Sequence, residues 1–297
     1  MTAAAAGGLE AVRTLGVVGA GQMGSGIAQV AATAGLSVVL NDREQRFLDQ
    51  GLGVIDRSLL RLVDKGTIAK EEKDKILRRI TMSQPIEALA HCDFVVEAVP
   101  ESLELKRSIF ERLDALCRPG TILASNTSSL SITRLGAVTK HPERVIGMHF
   151  MNPVPVMKLV EIVPGQATSI ETTEMTRALA IRLDKTPVVS QDLPGFISNR
   201  VLMPLVNEAI YALYEGVGTR DDIDTVMTLG MRHPMGPLAL ADFIGLDTCL
   251  AIMEVLHHGF GDSKYRPCPL LRRMVDAGLL GKKSGRGFYD YAPEARR

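Results

Sequence analysis

Two side chains near the middle of the chain have the type and spacing to move a proton: His149 and, twelve residues later, Glu161. Each ends a short apolar run. Between them His149-Phe150-Met151-Asn152-Pro153-Val154-Pro155-Val156-Met157-Lys158 must turn, because its two prolines fix φ and deny two ladder donors. Such a corner returns the chain so that the carboxylate meets the imidazole. A glutamate held against one ring nitrogen fixes the tautomer, leaves the other nitrogen to accept a proton, and stabilises the resulting imidazolium. The other histidines, His91, His141, His233, His257 and His258, read as ordinary core or surface residues. His257 and His258 point to different sides of a helix and make a poor metal pair, and Glu254 with His258 reads as an exposed i, i+4 pair. No metal set remains.

A second constellation says what the proton accompanies. Val17-Val18-Gly19-Ala20-Gly21-Gln22-Met23-Gly24-Ser25-Gly26 places a G-x-G-x-x-G turn directly after a short apolar strand. Gly19 lets the chain leave the strand sharply, Gly21 removes a Cβ from the path of a pyrophosphate, and Gly24 lets the next helix pack close. That helix, with Ile27, Val30, Ala31 and Ala34 on one face, offers N–H groups and a partial positive charge to phosphates. A second apolar run, Val38-Val39-Leu40, ends at Asp42, 18 residues beyond Gly24. A carboxylate there suits both ribose hydroxyls of an adenosine and repels a 2′-phosphate, so the expected cofactor is NAD. Arg43 is the discordant neighbour that keeps NADP as an alternative. Together the two constellations suit oxidation of a secondary alcohol, the proton passing to His149 as hydride leaves for a nicotinamide.

The elements that must position these groups alternate. Short β-rich runs at Phe94–Glu97, Thr121–Ala124, Val145–Phe150, Lys158–Val163 and Pro187–Ser190 are interleaved with helical patterns at about Glu44–Lys65, Leu103–Leu116 and Ile170–Leu183. This pattern predicts an α/β fold: a doubly wound, Rossmann-type parallel sheet covered on both faces. From Pro194 the chain turns to long apolar helices, Phe196–Glu215, Thr219–Leu229 and Pro237–Leu256. The expected domains are therefore residues 1–191, binding NAD, and an all-α C-terminal domain, residues 192–297. Thr219 with Asp222 resembles a capping box, which makes that acidic pair a helix start.

Composition narrows the classes. The 297 residues are 46% hydrophobic, enough for two cores, and Lys plus Arg equal Asp plus Glu at 34 each. No basic stripe suggests a nucleic-acid partner. Cys92, Cys117, Cys249 and Cys268 form no C-x-x-C and read as reduced thiols of an intracellular protein. No apolar run reaches the ~18–20 residues that span a bilayer, and the Ala-rich opening lacks the basic start of a secretory signal. A cytoplasmic location is expected, with an organellar matrix such as a peroxisome as the eukaryotic alternative.

Four stretches then carry a resemblance: Gly19 to Gly26, Ala124-Ser125-Asn126-Thr127-Ser128-Ser129, His149 to Glu161, and Asp192-Leu193-Pro194-Gly195-Phe196-Ile197-Ser198-Asn199-Arg200. In order and spacing, from about residue 14 to Tyr291, the chain resembles the L-3-hydroxyacyl-CoA dehydrogenases of the stand-alone 3-hydroxybutyryl-CoA type. Met151 departs from the aromatic residue the family often has there, a volume-tolerant change.

The resemblance implies reversible, NAD-dependent oxidation of an (S)-3-hydroxyacyl-CoA, with 3-hydroxybutyryl-CoA and acetoacetyl-CoA as the expected pair. His149 would be the general base and Glu161 its orienting partner. Ser128 would contact the substrate oxygen and the cofactor, and Asn199 would hold the substrate carbonyl. Asp42, Glu101, Lys106 and Asn126 match positions that touch NAD, alongside Gly19, Gly21, Gln22, Met23 and Gly24 of the turn. Ser58 and Lys65 match a CoA-contacting pair, and Arg61 on the same helix can add charge for the CoA phosphates. A homodimer through the C-terminal domain is also implied, with no nucleic-acid or membrane partner. Gly281 to Tyr291 resembles the family's C-terminal signature, and its residues read as a hairpin that tucks Phe288 and Tyr289 into the helical domain. The competing readings are another two-domain β-hydroxyacid dehydrogenase and a non-catalytic NADH sensor, neither of which needs the whole set.

Overall fold

The computed structural model describes residues 12–291. The chain divides into two compact units, Met1–Leu193 and Pro194–Arg297, two residues beyond the expected break.

Unit 1 is built on one eight-stranded sheet in the order β3-β2-β1-β4-β5-β6-β7-β8. The strands are β1 (Thr14–Val18), β2 (Ser37–Asn41), β3 (Ile80–Ser83), β4 (Phe94–Glu97), β5 (Ile122–Ser125), β6 (Val145–Phe150), β7 (Leu159–Pro164) and β8 (Thr186–Val189). β1, β4, β5 and β6 are almost wholly buried, as central strands covered on both faces should be. The helices are α1 (Gln22–Thr33), α2 (Gln45–Asp64), α3 (Lys70–Arg78), α4 (Leu103–Leu116), α5 (Ile132–Gly136) and α6 (Ile170–Arg182). Strand order reverses between β1 and β4, so the crevice for a ligand lies past their carboxyl ends.

Two features depart from the expected sheet. β3 is an additional strand, pairing with β2 at the sheet's edge, where no β-like run stood out. β6 and β7 pair antiparallel, unlike every other neighbour pair in the sheet. The eight residues between them are too few for the dozen or more that a parallel crossover needs.

Unit 2 holds α7 (Ser198–Tyr214), α8 (Arg220–Thr225), α9 (Pro237–Ile244), α10 (Leu246–Phe260) and α11 (Pro269–Asp276) around a core that includes Ile210, Leu238, Leu246, Leu256 and Leu271. The stretch expected as one helix over Pro237–Leu256 is two, because Gly245 adopts φ 103°, a conformation that ends a right-handed helix. The helix expected to run to Leu229 keeps its start, where Thr219 Oγ1 accepts from Asp222 N at 3.2 Å, but widens to a π-turn over Val226–Gly230. Asp242, fully buried, accepts the Phe288 and Tyr289 amides at 2.9 Å each and so fastens the C-terminal hairpin, with Phe288 8% exposed. That is the packing role read from the sequence.

Candidate active site

At the carboxyl end of β1, Gly19 has φ 100°, and a Cβ there would come within 2.7 Å of the Ala98 carbonyl beyond β4. A Cβ on Gly24 would lie 1.8 Å from Gly19 O, whereas one on Gly21 would meet nothing within 4 Å. The first and third glycines thus let backbone meet backbone, while the second faces open space. Gly21 is also the N-cap of α1 and supplies no side-chain cap to the amides of the helix's first turn. Beside this turn Asp42 Oδ2 accepts Ala20 N at 2.8 Å, which fixes the carboxylate at the rim. An anionic dinucleotide fits the donor set: amides and a helix dipole for pyrophosphate, a carboxylate for a ribose.

His149 and Glu161 are register partners across β6 and β7, so their side chains share one face of the sheet. His149 Nδ1 lies 2.8 Å from Glu161 Oε2, with the two residues 8% and 1% exposed. A carboxylate can only accept, which puts the proton on Nδ1 and makes Nε2 the basic nitrogen. The strand end is tied sideways as well: Asn126 Oδ1 accepts Phe150 N at 2.9 Å, and Gln22 Nε2 donates to Asn152 Oδ1 at 3.1 Å. Asn126 and Gln22, both matched to the cofactor set, therefore also hold the segment that carries the imidazole.

Ser128 sits in a loop organised by one carboxylate. Glu101 accepts from Thr127 Oγ1 at 2.5 Å, Ser128 N at 3.0 Å and Ser129 Oγ at 3.0 Å, with Ser128 Oγ at 3.4 Å. Burial pushes the Glu101 carboxyl up, but the Lys106 ammonium and the Thr127, Ser129 and Ser128 donors outweigh it and hold the group below the usual glutamate value. Lys106 points inward: it is 1% exposed and bonds Glu97 at 2.7 Å, with Glu101 at 3.3 Å. Glu97, wholly buried, also accepts Val99 N and Ser125 Oγ at 2.7 Å each. Glu97 and Ser125 were not singled out in the sequence. The available signal was a charge ending the apolar run Phe94-Val95-Val96, nine residues before a lysine.

The remaining residues lie elsewhere. Ser58 is half-buried on α2, and Lys65 caps its carboxyl end, exposed, with Arg61 exposed in its last turn. Asn199 belongs to unit 2, in the first turn of α7, and is buried rather than facing solvent. Beside it the Arg200 guanidinium lies over both the Phe260 and Tyr265 rings, 4.1 and 4.5 Å from their centroids. Glu254 and His258 do not form the expected side-chain pair. His258 Nδ1 meets the Glu254 carbonyl at 2.8 Å, and the Glu254 carboxylate binds Arg272 at 2.5 Å. Among the described residues no cluster of His, Cys, Asp and Glu could hold a metal ion.

Two family models match the chain: the NAD binding domain of 3-hydroxyacyl-CoA dehydrogenase over residues 14–193 and its C-terminal domain over residues 195–291. A probable 3-hydroxybutyryl-CoA dehydrogenase of Bacillus subtilis is 59% identical over 280 residues, covering 94% of this chain and 98% of the relative. The 3-hydroxybutyryl-CoA dehydrogenase of Bradyrhizobium diazoefficiens is 56% identical over 280 residues, covering 94% and 96%. Among solved structures, (S)-3-hydroxybutyryl-CoA dehydrogenase from Ralstonia eutropha superposes with a TM-score of 0.93 at 48% identity, covering 95% of this chain and all of the other. With a glycine turn, a His–Glu pair and both family domains in one sequence, the chain belongs to the 3-hydroxyacyl-CoA dehydrogenase family of NAD-dependent oxidoreductases.

Proposed function

We propose that the protein interconverts (S)-3-hydroxybutyryl-CoA and acetoacetyl-CoA, with His149 moving the proton at the substrate's C3 oxygen. The observation that carries this reading is the 2.8 Å contact between His149 Nδ1 and Glu161 Oε2, buried in the same sheet whose β1 end bears the glycine turn. NAD, when bound, supplies the nicotinamide carbon that exchanges hydride with C3. The chain's own residues do the rest. His149 Nε2 takes the hydroxyl proton on oxidation and returns it on reduction, while Glu161 stabilises the imidazolium. Acid–base help of this kind contributes roughly 10² to 10⁴ in rate. Ser128 and Asn199 bind the oxygens at which charge shifts, and Ser58 and Lys65 hold the CoA nucleotide.

Residues 1–191 serve the cofactor in this reading, and residues 192–297 serve substrate binding and self-association. Support for a homodimer is the exposure in unit 2 of Val201, Val217, Val226, Leu229 and Phe243, apolar side chains that a partner copy would cover. Light scattering should give about twice the 32.2 kDa chain mass; the chain mass itself would refute the dimer. No helix among the described residues is long and apolar enough to cross a membrane. The four cysteines are free and buried, which suits a reducing cytoplasm.

The test is NADH oxidation with acetoacetyl-CoA set against free acetoacetate, and NADPH against NADH. Turnover of the thioester with NADH, far above that of the free acid, is the expected result. Equal turnover of the free acid would move the protein to another β-hydroxyacid dehydrogenase, and NADH binding without turnover would make it a sensor.

A further inference from the structure

The turn that joins β6 to β7 separates His149 from Glu161, and one buried lysine grips it. Lys185, 7% exposed, donates from Nζ to the carbonyls of Val154 at 2.5 Å and Met157 at 2.8 Å. Among the described residues it has no carboxylate partner: the neighbouring Asp184 is taken by Lys158. Burial and the nearby Lys158 ammonium press its pKa below the usual lysine value, against the pull of Asp184. An ammonium kept under cover at that cost, with two backbone carbonyls as its partners, is there for those carbonyls.

The opposite side of the same turn rests on the nucleotide-binding helix. Val154 is 2% exposed and packs on α1 where Gly26 lacks a side chain; a Cβ there would come within 2.8 Å of Val154 Cβ. Thr186 N, next in sequence to Lys185, donates to Lys158 O at 2.7 Å. The turn is thus held between α1 and the start of β8.

We infer that Lys185 is a positioning residue, which presses the Val154–Met157 turn onto α1 and thereby sets the distance from the glycine turn to His149; the inference rests on the assignment of His149 as the proton-transfer group. Lys185 touches neither substrate nor cofactor in this account. Its loss should leave ligand binding nearly intact and spoil the alignment for transfer, where a displacement of about 1 Å can cost on the order of 10² in rate.

The test compares K185M, which keeps the stem and loses the donors, with K185R, which keeps donors. K185M should lower kcat about 10- to 100-fold, leave KM for acetoacetyl-CoA and Kd for NADH within about twofold, and raise the primary isotope effect from 4-deuterated NADH. Hydrogen exchange of the ligand-free variant should accelerate at the Val156 and Met157 amides, and K185R should restore kcat, isotope effect and exchange together. A K185M enzyme with a lower Tm but unchanged kcat and isotope effect would overturn the inference, as would equal losses in NADH affinity and kcat. If K185M does not fold, K185Q is read by the same criteria. Failure of the wild type to turn over acetoacetyl-CoA would count against the functional reading, whereas the exchange at the turn reports on Lys185 independently.

Discussion

Replacing Glu161 by Gln keeps the shape of the side chain and removes its charge. In the native chain the carboxylate accepts from His149 Nδ1 at 2.8 Å, and the glutamate is 1% exposed, so solvent scarcely screens the contact. A hydrogen bond to a charged group contributes about 1.5–3 kcal/mol, and it is worth most when the imidazole has gained its proton. At 1.36 kcal/mol per factor of ten, that loss predicts a fall of about 10- to 150-fold in kcat. The amide also offers N–H to Nδ1 and can reverse the tautomer, so the lower figure is a floor. Steady-state NADH oxidation with acetoacetyl-CoA gives kcat, and a fluorescence titration gives the NADH Kd, which should stay within about twofold because Glu161 lies outside the glycine turn. A thermal melt ensures that the rate is read on folded protein. A kcat within twofold of wild type, or a loss confined to NADH affinity, would remove Glu161 from the proton transfer.

Three further outcomes follow from the geometry. Gly24→Ala would force a Cβ to within 1.8 Å of Gly19 O, so the variant should lose about 1–3 kcal/mol of stability and its NADH affinity, as read by thermal melting and titration. Asp42→Ala removes the acceptor of Ala20 N and the charge facing a 2′-phosphate; the ratio of kcat/KM for NADPH over NADH should rise about tenfold, and an unchanged ratio would remove Asp42 from cofactor selection. Glu101 is held below the ordinary carboxyl value of 4.5, where the donors to its charged form outweigh the burial that opposes it. The stability this gives is complete above that value and is lost as pH falls through the depressed one, so urea midpoints of wild type should drop more than those of Glu101→Gln between about pH 5 and pH 3.

Local signals carried much of the fold, and the departures have physical causes. The boundaries of α4 and β6 could be read directly, since a helical period or an apolar run is a property of neighbouring residues. The His149–Glu161 pairing could be inferred because a proline corner leaves the chain little choice but to return. β3 could not, because Ile80–Ser83 is an edge strand whose half-buried pattern depends on β2 beside it. The break at Gly245 was open to either reading: a glycine inside an apolar helical pattern is tolerated, and only packing decides that it adopts positive φ. At the site, motifs named the glycine turn, the Ser128 loop and the His149–Glu161 pair on β6 and β7. No motif singles out the side chains that support them: Glu97 and Ser125 beneath the Ser128 loop, and Lys185 beneath the His–Glu turn, meet their partners only once the sheet has formed.

In the proposed function His149 carries the proton while the glycine turn independently holds the dinucleotide. His149→Gln, assayed for NADH binding by fluorescence and for NADH oxidation with acetoacetyl-CoA, separates the two functions in one variant. The NADH Kd should stay within about twofold of wild type, and turnover should fall by roughly 10² to 10⁴. Turnover equal to wild type would contradict that role of His149.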